Sequence, residues 1–150
     1  QDENALYELF GRYLGEAVTL YDDVLPVLKM LKGYFVLCAA SNALSDCQRP
    51  RLRAMGIRFD HIFLSEEMGT IKPAQAFFRK AAQAAGCETA ECMMVGDSLS
   101  SDIAGAQKAG MINRAGRALS GEIQPDAVIQ NLHQLLKIKE IREGLQNDRI

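Results

Sequence analysis

The feature that most limits what this chain can become is an alternation of two kinds of apolar segment. Tyr34 to Ala40 is a continuous apolar run, the pattern of a strand covered on both faces by helices. Shorter runs of the same kind stand at His61 to Leu64 and at Cys92 to Val95. Around them, apolar residues recur at helical spacing. Leu6, Leu9, Phe10, Tyr13, Leu14 and Ala17 predict an amphipathic helix over about Glu3 to Glu16. A second helix is expected behind Asp22-Asp23, with Pro26 in its first turn, Val27, Leu28 and Leu31 inward, and Gly33 at its end. A third carries Leu44, Leu52 and Met55 and closes at Gly56, and a fourth runs from about Ala74 to Ala85 and closes at Gly86. Another follows Asp102 up to Gly110, and a last one starts behind Pro125-Asp126 with Val128, Leu132, Leu135 and Leu136. No hairpin signal interrupts the series. Strands and helices in alternation imply parallel strands joined by right-handed crossovers, an α/β fold.

Composition narrows the class. With 150 residues the chain suits one domain, and 48% hydrophobic with 24% charged residues excludes disorder. A formal charge of −2 argues against a nucleic-acid or anionic-membrane partner. The longest apolar stretch, Tyr34 to Ala40, is far short of a membrane span, and the acidic start Gln1-Asp2-Glu3-Asn4 is unlike a signal peptide. Cys38, Cys47, Cys87 and Cys92 show no C-x-x-C spacing, which argues against zinc. Cys38 and Cys92 lie in apolar runs and read as small buried hydrophobes, in keeping with a reducing, cytoplasmic setting. His61 and His133 fall in no constellation, and Lys139 to Ile150 is expected as a frayed helix or a disordered end.

In a parallel α/β sheet, ligands sit at the carboxyl ends of the strands. The residues that follow the apolar runs are Ser41-Asn42, Ser65-Glu66-Glu67 and Gly96-Asp97-Ser98. Asp97 and Asp102 place two carboxylates around one loop that leaves a strand and enters a helix. Hard oxygen ligands on a strand end suit magnesium, while Asp102 capping its helix and Asp97 capping the loop is the plainer alternative. Ser41 and Asn42, beside the free N–H groups of the next helix, form a phosphate cradle or else an N-cap. Lys72 precedes Pro73, a helix-start residue, and is thereby restricted to an extended conformation, the plainer alternative being a solvated, inert surface lysine.

Together, a run ending in Ser41-Asn42, then Gly69-x-x-Lys72-Pro73, then Val95-Gly96-Asp97-Ser98-x-x-x-Asp102 resembles the haloacid dehalogenase (HAD) superfamily. The resemblance extends from about Leu20 to Leu136 and includes Gln48, Arg51-Leu52, Phe59-Asp60, Ile62-Phe63, Ser65-Glu66-Glu67 and Phe77-Phe78. It implies a magnesium-dependent phosphatase with a three-layer Rossmann-like core. By the family's motifs, Ser41 would bind a phosphoryl oxygen with Asn42 beside it, and Lys72 would neutralise phosphate and nucleophile. Asp97 would ligate magnesium and Asp102 would support that site. The blocks Leu64 to Gly69 and Gly96 to Leu99 resemble the branch of nucleotide 5′-monophosphatases, so the expected partner is a small phosphorylated metabolite such as a nucleoside monophosphate.

The family's first motif, Asp-x-Asp-x-Thr with its nucleophilic aspartate, does not occur in these residues; Asp22-Asp23 is adjacent rather than spaced, and helix capping accounts for it. The chain therefore resembles a HAD protein without its first strand and most of its helical cap. On that basis residues 1–19 would be the last cap helix, 20–138 the core and 139–150 a tail. A second departure is that Met111-Ile112 is all that stands for a longer apolar strand. The alternatives are a non-catalytic HAD-like binding module and a 2-haloacid dehalogenase, the latter disfavoured by Asp97 because those enzymes lack the metal-binding aspartate. A receiver domain would place its acid pair before the Ser/Thr, and here Asp97 comes last.

Overall fold

The computed structural model describes residues 8, 9, 13, 18–115 and 123–146. Of the first expected helix it describes Glu8, Leu9 and Tyr13, which are helical and exposed; the rest of that stretch lies outside the described residues. Helix α1 is Val24–Leu31, β1 Cys38–Ser41, α2 Ser45–Ala54, β2 His61–Leu64, α3 the single turn Ser65–Met68, and α4 Gln75–Ala84. Then follow β3 Met93–Gly96, a π-helical turn Leu99–Ile103, α5 Ala104–Ala109, β4 Ile112–Ala115, β5 Ala127–Val128, a 3-10 stretch Leu132–Lys137 and α6 Lys139–Gln146.

Every strand pair is parallel. β1 lies on β2 with Cys38 opposite His61 and Ser41 opposite Leu64. β3 lies on β4 from Met93–Ile112 to Gly96–Ala115, and β4 on β5 through Arg114–Ala127 and Ala115–Val128. Among the described residues the strands form two sheets, β1-β2 and β3-β4-β5. The strand period of two separates the neighbouring side chains of β3 between two cores. Met93 packs on Val27, Leu31, Ile129, Leu135 and Ile141, which come from α1 and the C-terminal elements. Met94 packs on Phe63, Phe77, Phe78, Ala106 and Ala109, which come from β2, α4 and α5. The two faces of β3 therefore each pack on a core to which helices contribute.

Gly105 permits the closest approach of these helices. A Cβ there would sit 2.8 Å from the Pro73 carbonyl oxygen and inside the Phe78 ring, so α5 rests directly on the start of α4.

Several expectations are corrected. The run from Tyr34 is strand only from Cys38, because the chain is still leaving α1: Phe35 N donates to the Leu31 carbonyl, and Leu37 N donates to the Asp60 carboxylate at 2.8 Å. Cys38 is exposed rather than a core residue, since among the described residues β1 pairs with β2 alone, and Cys92, just ahead of β3, is half-buried. Asp23 does not cap α1 with its side chain; its Oδ2 accepts from Leu132 N at 2.6 Å and ties α1 to the 3-10 stretch. Pro73 precedes α4, whose N-cap is Ala74. Of the short Met111-Ile112 run, Ile112 starts a four-residue strand, in which ladder bonds to β3 hold Asn113 and Arg114 extended despite their polarity.

The expected last helix is replaced by β5 and the 3-10 stretch. Val128 belongs to the strand and is 42% exposed, while Leu135 is buried. Beyond it, Lys139–Gln146 is helical with Ile141 buried in the first core, which orders most of the stretch expected as a frayed or disordered tail. No helix of the described residues is long and apolar enough to cross a membrane.

Candidate active site

The three strand ends singled out in the sequence carry the site. Ser41 is the last residue of β1, Ser65 follows β2, and Asp97 follows β3. Neither plainer capping alternative holds. The N-cap of α2 is Leu44, without a side-chain bond, so Ser41 and Asn42 cap nothing there. Asp102 lies inside the π-helical turn, and the residue that caps the turn is Ser98, whose hydroxyl accepts from Ser101 N at 3.2 Å.

The turn brings the Asp102 carboxylate back over the strand end. Its Oδ2 accepts from Ser98 N at 3.2 Å, and its Oδ1 meets Lys72 Nζ at 2.7 Å. Gly96 makes this possible, since a Cβ there would lie 2.7 Å from Cβ and Cγ of Asp102. Lys72 and Asp102 are the buried charged residues among those described, at 8% and 5% exposure. A buried ammonium requires a partner for its charge and further acceptors for its protons. Asp102 supplies the first, and the Ala40 carbonyl at the end of β1 accepts at 2.9 Å. The Lys72–Pro73 peptide is cis.

Asn42 reaches the same residue from β1. Its Oδ1 accepts from Lys72 N at 2.8 Å, and its Nδ2 donates to the Lys72 carbonyl at 2.9 Å. Lys72, Asn42 and Asp102 are thus brought together by direct bonds, while Ser41 ends β1 and Asp97 follows β3 without a bond to any of the three. Asp97 is exposed and takes no hydrogen bond or ion pair among the described residues.

One free carboxylate on a strand end fits magnesium, which is held by one or two carboxylates and completes its shell with water and phosphate. Asp102 carries one bond on each oxygen, to Lys72 and to Ser98 N, and each oxygen keeps a further lone pair. Among the described residues, no group of three or more His, Cys, Asp or Glu side chains is arranged to hold a metal.

A network absent from the sequence reading braces the loops. Arg49 Nε and Nη2 donate to the two oxygens of Glu67 at 2.7 and 2.6 Å, and Ser45 Oγ donates to Glu67 Oε1 at 2.8 Å. Ser45 N donates to Glu66 Oε2 at 2.8 Å. The Arg49 bonds first, and the Ser45 bond second, hold the Glu67 carboxyl down to about 2. Helix α2 is thereby tied to α3, the turn after β2. Arg49 carried no sequence signal beyond being a charged residue on a helix. The Ala40 carbonyl carried none at all, being main chain.

The chain is similar to known proteins in sequence and in fold. A model of the haloacid dehalogenase-like hydrolase family matches residues 1–110. The chain belongs to that family. It is 39% identical over 95 residues, 61% of the chain, to the glyceraldehyde 3-phosphate phosphatase of Methanopyrus kandleri, and spans 41% of that protein. It is 31% identical over 137 residues, 87% of the chain, to the pyrimidine 5′-nucleotidase YjjG of Escherichia coli, and spans 61% of it. Among solved structures, the HAD-hydrolase YfnB of Bacillus subtilis, bound to magnesium, superposes with a TM-score of 0.81 at 29% identity, covering 91% of this chain and 63% of that one. The chain therefore spans about two-fifths to two-thirds of these relatives.

Proposed function

We propose that the full-length protein is a magnesium-dependent phosphohydrolase that acts on a small phosphomonoester through an aspartyl-phosphate. The nucleophile would be an aspartate that these 150 residues do not supply, since no Asp-x-Asp-x-Thr motif occurs in them. The observation that carries the reading is the Lys72 ammonium, buried at the carboxyl end of β1 between the Ala40 carbonyl and Asp102. A cation held in advance at that edge would neutralise both phosphate and attacking carboxylate, and phosphoryl transfer depends chiefly on such positioning and charge. Ser41 would donate to a phosphoryl oxygen with Asn42 beside it. Asp97 would ligate magnesium directly, and Asp102 would support the site through Lys72 and Ser98. Magnesium would supply charge neutralisation on the phosphoryl oxygens.

The phosphatases and nucleotidase among the relatives support a small phosphorylated metabolite as substrate, and the sequence blocks after β2 and β3 favour a nucleoside 5′-monophosphate. By the resemblance, residues 1–19, most of which lie outside the described residues, would be the last helix of a helical cap. The four free cysteines suit a reducing compartment, and we place the protein in the cytoplasm.

The test is phosphate release by the full-length protein from nucleoside 5′-monophosphates and sugar and triose phosphates, with magnesium and with a chelator. Magnesium-dependent release that Lys72→Ala lowers by about 1,000-fold or more is expected. Release indifferent to Lys72→Ala overturns the reading. The missing motif favours one rival, a binding module without catalysis, for which the same protein would bind phosphate and release none.

A further inference from the structure

Asn42 has an unusual pair of partners. Both ends of its carboxamide bond the main chain of one residue, Lys72, the Oδ1 accepting from its N–H at 2.8 Å and the Nδ2 donating to its carbonyl at 2.9 Å. The bonds close a ring between segments 30 residues apart in sequence. No other described group bonds the Lys72 main chain. Lys72 lies between α3 and α4, outside any strand or helix, so no ladder orders its backbone. Its side chain is anchored separately, on Ala40 and Asp102. An asparagine offers one acceptor and two donors, so the peptide-like carboxamide serves Lys72 as a neighbouring strand would.

We propose that Asn42 is a positioning residue: its side chain sets where the Lys72 ammonium stands and influences phosphate through Lys72 instead of touching phosphate itself. This rests on the reading of Lys72 as the phosphate-neutralising cation. Losing Asn42 leaves the Lys72 side-chain anchors in place but frees the main chain from which that side chain springs. Phosphate affinity then falls because the cation is less well ordered, although its charge is unchanged.

The test is a double-mutant cycle read by calorimetric titration of inorganic phosphate into the full-length protein with magnesium present. Asn42→Ala is expected to weaken phosphate about tenfold and Lys72→Ala about a hundredfold. The double variant is expected to match Lys72→Ala within about twofold, because Asn42 has nothing left to position. A second readout is hydrogen exchange at the Lys72 amide, fast in Asn42→Ala and slow again in Asn42→Asp, which keeps the acceptor. If Asn42→Ala does not fold, Asn42→Ser, which is too short to bond both the N–H and the carbonyl of Lys72, takes its place in the cycle.

Wild-type phosphate affinity in Asn42→Ala overturns the proposal. So does a further tenfold loss in the double variant, since Asn42 would then act independently of Lys72. Unchanged affinity in Lys72→Ala removes the phosphate reading of Lys72 itself, and the positioning role for phosphate falls with it.

Discussion

Lys72 and Asp102 are 30 positions apart in the chain and 2.7 Å apart in the fold, in a pair almost closed to solvent. A buried pair of this kind contributes little relative to an apolar replacement, yet removing one member strands the other's charge. That asymmetry gives the pair a measurable signature.

Asp102→Ala is expected to lower stability by about 3–5 kcal/mol, because the Lys72 ammonium keeps only the Ala40 carbonyl. The double variant Lys72→Met with Asp102→Leu should regain most of that loss while remaining without phosphatase activity. Urea unfolding followed by circular dichroism measures both. A loss under about 1 kcal/mol in Asp102→Ala would show that the charge is hydrated and the pair unimportant to stability.

Gly96→Ala tests the close approach that makes the pair possible. A Cβ would sit 2.7 Å from Cβ and Cγ of Asp102, so the carboxylate must move off Ser98 N or off Lys72. A stability loss of about 1–3 kcal/mol is expected, together with weaker phosphate binding. Thermal unfolding and phosphate titration of the same variant report the two effects. Intact stability and intact binding would mean that the turn absorbs the methyl group freely.

Asp97 and Asp102 should separate cleanly. Asp97→Asn removes a carboxylate that is exposed and unbonded among the described residues, so stability should change by less than about 0.5 kcal/mol. Magnesium affinity should fall by about tenfold or more in calorimetry, with magnesium-dependent turnover falling alongside it. Unchanged magnesium binding would place the metal elsewhere.

The bonds that Arg49 and Ser45 make to Glu67 should contribute to the acid dependence of stability. The folded-state pKa of Glu67, about 2, lies below the ordinary 4.5, so the stabilisation is present above about 4.5 and disappears as pH falls from there through about 2. The urea midpoint should therefore decline across that window. Glu67→Gln should flatten the decline and loosen the tie between α2 and α3 at neutral pH. An identical pH dependence in both proteins would show that the Arg49 and Ser45 bonds do not persist in solution.

What could be read along the chain was local. The apolar runs located β2 to the residue and β3 to within one, because a strand buried on both faces requires such a run whatever surrounds it. The glycines after α2, α4 and α5 marked the ends of those helices, and Gly56, Gly86 and Gly110 all have positive φ. The residue types at the strand ends were equally legible, since the topological rule depends on order in the chain and not on contacts. Where pairing or packing overrides local preference, the reading failed. Asn113 and Arg114 are strand because β3 lies beside them, Val128 is strand because β4 does, and Cys38 is exposed because β1 has one neighbour among the described strands.

The site divides in the same way. Ser41, Asn42, Lys72, Asp97 and Asp102 were visible as candidates, and the family resemblance assigned them roles, but the bonds among them were not visible. That Asn42 grips the Lys72 main chain, that Asp102 turns back over Gly96 to meet Lys72, and that Asp97 stays free are facts about distance. Residue type sets which bonds a side chain is able to make. Which of them forms depends on how two segments far apart in sequence are folded against each other, because hydrogen bonds and buried ion pairs act only over a few ångströms.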